Sequence, residues 1–487
     1  MYPNFEEFKK IAKTARMVPV YEELFLDTQT PIGIFLRYAD DENSFLLESV
    51  EGGERWTRYS FIARRPFMTF KSSGDDITIT KDEKTTVKKG NPFKELKALL
   101  NDYKGISLKG MPRFCGGAVG YIGYDMVRHI EYLPDTPEDD IRLPDSYLAF
   151  YDEVVAYDHL KQRVMVIVNV DTAGDIEKNY EIARQRIEIT ADELITPYKY
   201  IKPIKAVSFD EIKMESNFTK NEFMLNVDKA KEYIRNGDIF QVVLSQRFAI
   251  ETDINPLRVY RVLRTLNPSP YLYYLKFGDA IIVGSSPELM VRVENGIVET
   301  CPIAGTSRRG KDKDEDELLA KKLLKDEKEM AEHTMLVDLG RNDLGKISKF
   351  GSVKVLNPMH IEKYSKVMHI VSNVQGELDD DKDCFDALTA VLPAGTLSGA
   401  PKVRAMQIID ELEPVKRGIY GGCVGYMGFD GNLDTCIAIR TIVFNKGKAY
   451  IQAGAGIVAD SVPENEYEET LNKGHALFAS LREAGDI

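Results

Sequence analysis

Cysteine is scarce in this 487-residue sequence: there are five, an odd number, and none of them forms a C-x-x-C pair. Scattered cysteines exclude a disulfide framework and a cysteine-based zinc site, and they favour free thiols in a reducing compartment. No apolar run approaches the roughly 20 residues that a membrane-spanning helix needs, and the N-terminal residues lack the apolar core of a signal peptide. We therefore expect a cytoplasmic protein with no membrane partner.

Positive charge is also in short supply, because 77 acidic residues outweigh 64 lysines and arginines and give a net charge of −13. No long block of Lys and Arg is present, so a nucleic-acid partner is not expected. The sequence contains no H-E-x-x-H, P-loop or G-x-G-x-x-G motif. A zincin site is therefore excluded, and nucleotide binding is poorly supported.

The length predicts two lobes rather than one compact core. Alternating strand and helix patterns fill residues 1–200, and prolines and charges predict a connector near 197–217. GGAVGYIGYD at 116–125 and GGCVGYMGFD at 421–430 share seven of ten positions. These segments are either matching strand-and-turn units from a duplication or two unrelated glycine-rich strands.

Two pairs of acidic residues have the same spacing. Glu329 and Glu332 precede the apolar run MLV, and Glu466 and Glu469 precede a second apolar helix. A spacing of three places both carboxylates of each pair on one helix face. If the two faces converge, a cation must offset their repulsion, and Mg²⁺ suits an all-oxygen site. The alternative is two unrelated solvated helix starts, whose acids complement the helix dipole.

Other segments are compatible either with binding of an anionic ligand or with an ordinary structural role. QAGAGIV at 452–458 offers either a backbone that a carboxylate can approach or a strand end with a bulge. CPIAGTSRRG at 301–310 indicates either anion recognition by its arginines or a solvated loop. Arg440 in TCIAIRTIV is predicted to lie on a strand otherwise built for burial, so it needs an acidic partner or a bound carboxylate. Cys423, among apolar and aromatic neighbours, is expected to be a buried structural thiol.

Five long motifs then follow one another along the chain: PIAGT, EMAEHTMLVDLGRNDLG, PAGTLSGAPKVRAMQIIDELEP, GIYGGCVGYMGFDGNLDTCIAIRT and QAGAGIVADSVPENEYEETLNK. In these motifs the chain resembles the chorismate-utilising enzymes, and among them the large (component I) subunits of anthranilate synthases, from about residue 17 to 478. The resemblance implies an α+β fold of two large packed, mostly antiparallel β-sheets with surrounding helices. It also implies an N-terminal regulatory lobe over 1–200 and a chorismate-binding catalytic domain over 218–480.

The resemblance further implies the residues of an active site. The implied Mg²⁺ ligands are Glu332 and Glu469, completed through water by Glu329 and Glu466. The positions that match chorismate contacts are Gly305, Thr306, Tyr420, Arg440, Gly454, Ala455 and Gly456. A carboxylate of chorismate would then be the partner that Arg440 requires.

Members of the family differ in the nucleophile that attacks the ring. Isochorismate and salicylate synthases carry a lysine that activates water, and aminodeoxychorismate synthases often carry one in the PIAGT segment. Here these positions are Gln241 and Ala304, and neither side chain is a base or a nucleophile. We therefore expect ammonia to attack, and anthranilate and pyruvate to form, as in the first committed step of tryptophan biosynthesis. His369 and Thr306 are the implied catalytic residues, with His369 assisting the elimination.

The resemblance also implies a regulator and a partner. Tryptophan would act as a feedback inhibitor at a site formed by Ser49, Pro270, Tyr271 and Leu272. A separate glutamine amidotransferase subunit would supply ammonia within a hetero-oligomer, since no Cys-His-Glu set of a glutaminase is apparent. Two rival hypotheses remain, namely an aminodeoxychorismate synthase component I and a non-catalytic tryptophan-binding regulatory subunit.

Overall fold

The computed structural model describes residues 1–49, 58–196, 213–364 and 367–485. In these ranges the strands form two sheets of 12 strands each, and neighbouring strands pair antiparallel. The helices of the described residues are α1 Phe5–Ile11, α2 Pro31–Phe35, α3 Pro92–Asp102, α4 Ile176–Ile195, α5 Lys220–Arg235, α6 Pro256–Leu266, α7 Lys313–Leu323, α8 Glu327–Gly345, α9 Cys384–Val391, α10 Lys402–Leu412 and α11 Pro463–Ala484. The expectation of an α+β fold with two large antiparallel sheets is confirmed.

The strands in chain order are β1 Met17–Leu24, β2 Ser44–Glu48, β3 Tyr59–Ala63, β4 Met68–Ser73, β5 Asp76–Lys81, β6 Lys84–Lys89, β7 Gly117–Ile122, β8 Ser146–Tyr151, β9 Glu153–Asp158, β10 Arg163–Asp171, β11 Glu215–Ser216, β12 Gln241–Glu251, β13 Tyr271–Phe277, β14 Ala280–Ser286, β15 Leu289–Glu294, β16 Ile297–Thr300, β17 Ile303–Arg308, β18 Lys354–Lys363, β19 Val367–Glu377, β20 Gly399–Ala400, β21 Cys423–Gly428, β22 Leu433–Ile437, β23 Thr441–Asn445 and β24 Lys448–Ile457.

The first sheet runs in the order β1-β10-β9-β3-β2-β13-β14-β23-β24-β12-β11, with β20 beside β12. The second runs in the order β17-β19-β16-β15-β22-β21-β7-β8-β4-β5-β6, with β18 beside β19. Each sheet therefore contains strands from 1–200 and strands from 218–480. The division into two lobes stays a prediction, and the predicted connector falls largely on 197–212, outside the described residues.

The two sheets pack face to face through buried aromatic side chains. Phe45 of the first sheet meets Tyr151 of the second with ring centroids 4.9 Å apart, and Phe277 of the first meets Tyr147 of the second at 4.8 Å. Aromatic pairs at these separations add to the hydrophobic stabilisation of a core. The outer faces are covered by helices: α4, α6 and α11 share an apolar cluster with the first sheet, and α3 and α9 share one with the second.

Local sequence explains how individual helices begin. Thr219 caps α5, because its side chain accepts a hydrogen bond from the backbone of Glu222 while the Glu222 carboxylate accepts one from the backbone of Thr219. On α4, Tyr180, Ala183 and Ile187 recur at helical spacing and are buried. They form the stripe that packs α4 against β10.

The two similar glycine-rich segments of the sequence are neighbouring strands. β7 and β21 pair antiparallel in the second sheet, with Gly120 directly opposite Gly425. A Cβ at Gly120 would overlap the carbonyl oxygen of Tyr147 on β8, and one at Gly425 would overlap that of Asp434 on β22. Glycine at these two positions lets four central strands of the second sheet approach one another.

Replacing Gly120 with alanine is expected to lower the free energy of unfolding by about 3 kcal/mol, because the added methyl group collides with backbone that has no room to move. Gly90→Ala is the matched control, since a Cβ there meets nothing within 4 Å, and its effect should stay within about 0.5 kcal/mol. Urea unfolding followed by circular dichroism measures both. Equal stability of the two variants would contradict this account of the sheet.

Candidate active site

Two helices present the acidic pairs. α8 begins after Asp326, whose side chain accepts hydrogen bonds from the backbone N–H groups of Lys328 and Glu329 at 3.1 and 3.2 Å. α11 begins at Pro463, a residue suited to the first helical position because its missing N–H would have no partner there. Glu329 and Glu466 therefore lie in first turns, where the helix dipole favours negative charge.

The carboxylates of α8 and α11 converge. Burial raises the pKa of Glu329, and the charges of Glu332 on its own helix and Glu469 on the other helix raise it further. Burial likewise raises the pKa of Glu466, and Glu469 adds to this effect. Because the charge of Glu469 on α11 reaches Glu329 on α8, these two carboxylates face the same space.

A neutral and a cationic side chain stand between these acids. The Gln241 amide donates from Nε2 to Glu332 Oε1 at 3.3 Å, and Lys473 Nζ lies 2.6 Å from Glu469 Oε1. Within the described ranges, no group of three or more His, Cys, Asp or Glu residues is placed closely enough to hold a metal ion. The carboxylates thus form an open cluster around Gln241 and Lys473 rather than a closed cage.

A bulge in the β17–β19 ladder brings a backbone close to this cluster. The register shifts between Ala304 and Thr306, and Gly305 between them adopts a φ of 65°. A Cβ at Gly305 would lie 3.1 Å from Glu329 Oε2. Glycine combines the left-handed backbone with room for the carboxylate. The bulge also places Thr306 directly opposite His369.

The hydrogen bonds of His369 decide its tautomer. Its Nδ1 lies 3.0 Å from the carbonyl oxygen of Gly305 and 3.2 Å from Thr306 Oγ1. A carbonyl oxygen can only accept, so Nδ1 carries the proton and Nε2 keeps its lone pair. Burial lowers the pKa of His369, and the nearby charge of Arg440 also lowers it. The side chain is therefore a neutral imidazole at pH 7, with Nε2 able to take a proton.

Small residues of β24 form the opposite wall. A Cβ on Gly454 would lie 2.8 Å from the hydroxyl oxygen of Tyr420, and one on Gly456 would lie 2.8 Å from Gln241 Nε2. Ala455, between the two glycines, turns its methyl group into an apolar cluster and is fully buried. Ala455 can therefore contact a ligand only through its backbone. The two glycines leave space along the wall, because they have no side chain.

Arg440 does not lie on a strand, so that part of the sequence interpretation is wrong. β22 ends at Ile437 in the second sheet, β23 begins at Thr441 in the first, and Arg440 between them has a φ of 52°. The apolar pattern on both sides suggested one strand, because both halves are buried. The chain instead crosses from one sheet to the other at this point.

The guanidinium of Arg440 is buried at the site. Its Nη1 donates to the carbonyl oxygen of Lys473. Burial lowers the pKa of Arg440, whereas the charges of Tyr420 and Glu469 act to raise it. Glu469 forms its ion pair with Lys473 rather than with Arg440. In the described part of the chain, no carboxylate contacts Arg440. A buried guanidinium in this state favours an anion as ligand.

Two residues of the site were missed in the sequence. Lys473 donates from Nζ to the Gly454 carbonyl oxygen at 2.9 Å in addition to its contact with Glu469. Glu288 is buried between β14 and β15, close enough to Lys473 for this cation to act on its pKa. Burial raises that pKa to about 8, although a hydrogen bond from Thr396 at 3.0 Å and the charge of Lys473 act in the opposite direction. Its carboxyl group is therefore mostly protonated at pH 7. An acid directly after the buried run IIVGSSP was the available signal for Glu288.

Two other predicted features have structural roles. Arg308 and Arg309 form ion pairs with Glu315 and Asp316 of α7, so both arginines support the neighbouring helix. Cys423 is 2% exposed, and burial raises the pKa of its thiol to about 12. The expectation of a buried structural thiol is confirmed.

A second cavity, of about 540 Å³, lies where β2 pairs with β13. Its lining includes all four residues of the predicted inhibitor site, Ser49, Pro270, Tyr271 and Leu272. The hydroxyl of Ser49 is buried and has no hydrogen-bond partner among the described residues. The hydroxyl of Tyr271 donates to Asp434 Oδ1 at 2.9 Å. Among the described residues, the Ser49 hydroxyl is therefore the group of this lining that a ligand could engage as donor or acceptor.

Known proteins resemble this chain along its whole length. The sequence profile of the chorismate binding enzyme family matches residues 43–479. Anthranilate synthase component 1 of Acetivibrio thermocellus is 56% identical, over 100% of this chain and 99% of its own. The same component from Aquifex aeolicus is 48% identical, over 98% of this chain and 97% of its own.

Solved structures agree in fold. Anthranilate synthase component I from Streptococcus pneumoniae superposes with a TM-score of 0.79 at 38% identity, over 93% of this chain and 98% of that chain. The menaquinone-specific isochorismate synthase of Escherichia coli superposes with a TM-score of 0.71 at 18% identity, over 98% of both chains, and supports the fold alone. None of the helices in the described ranges has the length and apolar character to span a membrane. The chain belongs to the chorismate binding enzymes and, within that family, to the anthranilate synthase component 1 proteins.

Proposed function

We propose that this chain converts chorismate and ammonia to anthranilate and pyruvate. The observation that carries the proposal is the meeting of a buried arginine, a neutral histidine and four carboxylates at one cleft. At the two positions where other members of the family carry a lysine, this chain has Gln241 and Ala304. Arg440 is close enough to influence the pKa of His369, and Glu469 influences that of Arg440. The anthranilate synthase component 1 relatives support the same reaction.

The residues at the cleft favour ammonia over water as the nucleophile. Water attacks only when a base removes its proton, and the Gln241 amide cannot act as that base. A covalent route would need an amine where Ala304 stands. Ammonia carries a free lone pair and needs no activation. The product would then be an amine, which argues against isochorismate.

Mg²⁺ fits the carboxylate cluster by the chemistry of its donors. The charge of Glu469 on α11 raises the pKa of Glu329 on α8, and a cation between these carboxylates would relieve the repulsion. Glu332 and Glu469 would hold the ion, with Glu329 and Glu466 acting through water. Because Lys473 contacts Glu469 at 2.6 Å, it would compete for that carboxylate. When bound, Mg²⁺ would hold the ring carboxylate of chorismate and offset its charge.

In the first step, ammonia adds at C2 and the C4 hydroxyl departs. Arg440 would bind a carboxylate of chorismate and so orient the ring. Glu288 holds a proton at neutral pH and would donate it to the departing hydroxyl, which leaves as water. The new C2 ammonium group then loses its extra proton to solvent, which gives aminodeoxyisochorismate.

In the second step, His369 would take the C2 proton on Nε2. The electrons of the broken C–H bond complete the aromatic ring, the C3–O bond breaks, and the enolpyruvyl group leaves as an enolate. Protonation of its methylene carbon by solvent then gives pyruvate. The Gly305 carbonyl stabilises the Nδ1–H tautomer, and it would also stabilise the imidazolium that forms. Thr306 Oγ1 keeps the ring in place at 3.2 Å.

A glutamine amidotransferase subunit would supply the ammonia. The relatives are named as component 1 of anthranilate synthase, and this numbering implies a second component. Together the two would form a hetero-oligomer. Free ammonium should replace glutamine when this chain acts alone. The rate with ammonium should increase at higher pH, where a larger fraction of it is NH₃.

Tryptophan would inhibit through the second cavity, and hydrogen bonds connect that cavity to Arg440. The turn before Pro270 is held by Ser285, whose Oγ donates to the Asn267 carbonyl oxygen and lies 2.9 Å from Ser269 Oγ. The backbone N–H of Ser285 donates to the Arg440 carbonyl oxygen at 3.1 Å. A ligand that moves this turn therefore acts on Arg440. Inhibition requires that tryptophan prefer the less active arrangement.

The purified chain, given chorismate, MgCl₂ and ammonium chloride near pH 8.5, is expected to release fluorescent anthranilate. EDTA should abolish the activity, excess Mg²⁺ should restore it, and tryptophan should reduce it, because metal and inhibitor each bind at a separate site. Mass spectrometry identifies the product. A non-fluorescent 4-amino isomer would indicate an aminodeoxychorismate synthase, and inertness together with tryptophan binding would indicate a regulatory subunit.

His369→Met is expected to separate the two steps, because methionine cannot take the C2 proton. Aminodeoxyisochorismate should accumulate while anthranilate formation falls by about 10²-fold or more. His360→Met on the neighbouring strand β18 is the matched control and should keep both steps. Quenched reactions resolved by chromatography measure both products. If both steps slowed equally in His369→Met, His369 would not be the base of the elimination.

Glu288→Gln is expected to lower kcat by about 10²-fold or more with little change in the KM for chorismate, because glutamine cannot donate the proton. A raised pKa means that the acid is protonated below about pH 8 and loses its proton above it. The wild-type kcat, measured at constant free NH₃, should therefore fall above pH 8, and this fall should vanish in the variant. Glu299→Gln, a buried acid of β16, should keep the wild-type profile. A wild-type profile in Glu288→Gln would exclude this proton donor.

A further inference from the structure

An aromatic ring lies against the imidazole of His369. The ring centroids of Tyr364 and His369 are 5.6 Å apart, and their planes are inclined by 63°. Tyr364 directly follows β18 and is half-buried. Edge-to-face pairs at this separation are attractive and favour a particular orientation of the two rings. Tyr364 therefore restricts how the imidazole can turn.

The hydrogen bonds of His369 leave one motion of its ring open. The contacts with the Gly305 carbonyl oxygen and with Thr306 Oγ1 are both made by Nδ1. An imidazole held by its Cβ and by Nδ1 can still tilt about the line that joins these two atoms. This tilt displaces Nε2, the nitrogen that would take the C2 proton. The contact with the Tyr364 ring limits this remaining motion.

Tyr364 is itself held at its side chain and at its backbone. Its hydroxyl donates to Glu362 Oε2 at 2.8 Å, and its carbonyl oxygen accepts a hydrogen bond from Arg309 Nη1. Its backbone N–H donates to the carbonyl oxygen of Val367, the first residue of β19, at 2.8 Å. A ring that is fixed in this way is a rigid support for its neighbour.

The anchor of the Tyr364 hydroxyl lies beside His369 as well. Glu362 stands directly opposite His369 in the β18–β19 ladder, and Thr306 stands opposite His369 in the β17–β19 ladder. Residues that are paired in this way project from the same face of a sheet. The charge of Glu362 also reaches His369, because it raises the pKa of the imidazole. Tyr364, Glu362 and His369 therefore form one packed group at the cleft.

The backbone anchor of Tyr364 gives Arg309 of the CPIAGTSRRG segment a further role. Arg309 donates from Nε to Asp316 Oδ1 at 3.1 Å and from Nη2 to Asp316 Oδ2 at 2.6 Å. A guanidinium that makes two parallel bonds to one carboxylate is fixed in orientation. Its Nη1 then donates to the Tyr364 carbonyl oxygen. Helix α7, which contains Asp316, therefore supports Tyr364 through Arg309.

We propose that Tyr364 is a positioning residue for the elimination, because its ring, held by Glu362 and Arg309, keeps Nε2 of His369 directed at the C2 proton. This inference rests on the proposed function, in which His369 takes that proton. Tyr364 exchanges no proton and touches no reacting atom. It acts on the second step alone, because His369 takes no part in the addition of ammonia.

The test compares two variants of Tyr364 with a control. Tyr364→Leu removes the ring and should slow the elimination about tenfold or more, because small displacements of a catalytic base are costly. Aminodeoxyisochorismate should then accumulate while chorismate is consumed near the wild-type rate. Tyr364→Phe keeps the ring and should restore the elimination. Tyr21→Leu on β1 is the matched control, because Tyr21 is also half-buried and pairs with Tyr2 at 5.7 Å and 65°. Quenched reactions resolved by chromatography measure both steps.

A double variant tests whether Tyr364 acts through His369. In His369→Met, the further change Tyr364→Leu should leave the residual rate of elimination unchanged, because no imidazole is left to position. An additional loss in the double variant would overturn the proposal. So would equal slowing of both steps in Tyr364→Leu, an elimination rate in Tyr364→Leu equal to that of Tyr21→Leu, or a Tyr364→Phe variant as slow as Tyr364→Leu. A wild-type chain that makes no anthranilate from ammonium would refute the proposed function itself, which is a different outcome.

Discussion

Two side-by-side crossings between the sheets hold the candidate active site in place. One crossing runs from β14 to β15 and contains Glu288, and the other runs from β22 to β23 and contains Arg440. The crossings bond to each other, because Ile437 N–H donates to the Glu288 carbonyl oxygen at 3.0 Å and Ser285 N–H donates to that of Arg440 at 3.1 Å. Residues at a crossing belong to neither ladder, so their side chains are free to face the cleft. The proton donor and the carboxylate-binding group of the proposed reaction therefore sit on one rigid unit.

The cleft concentrates groups that are unfavourable without a ligand. Among the described residues, the charge of Glu469 raises the pKa of Glu329 across two helices, buried Arg440 donates to a carbonyl oxygen and contacts no carboxylate, and Gln452 Oε1 has no donor. Such arrangements lower the stability of a fold. In the proposed reaction, a dianionic substrate and a divalent cation would each bring a missing partner to the cleft. Lys473 offsets part of the repulsion in the meantime, through its contact with Glu469.

The sequence was informative where function depends on local spacing. The acidic pairs on helix starts, the strand that contains His369 and the capped start of α5 follow from positions one to four residues apart, as does the burial of Cys423. The α+β architecture came from the resemblance rather than from periodicity. The residues could not predict contacts between positions that are far apart in the chain. Lys473 meets Gly454 only because α11 packs along β24, and Arg440 leaves its strand only because the chain changes sheets. An apolar run has the same residue pattern whether it stays in one sheet or crosses between two.

The paired crossings also explain how one cavity could govern another in the proposed regulation. Ser285 contacts Asn267 and Ser269 in the turn before Pro270, and its backbone N–H donates to the carbonyl oxygen of Arg440, so Ser285 connects this turn to the backbone of Arg440. Backbone contacts of this kind transmit displacement rather than charge. Linkage then runs in both directions: if tryptophan disfavours the position of Arg440 that binds a carboxylate, chorismate must weaken tryptophan binding by the same factor. If the proposed regulation holds, tryptophan and chorismate would compete through the crossing without touching each other.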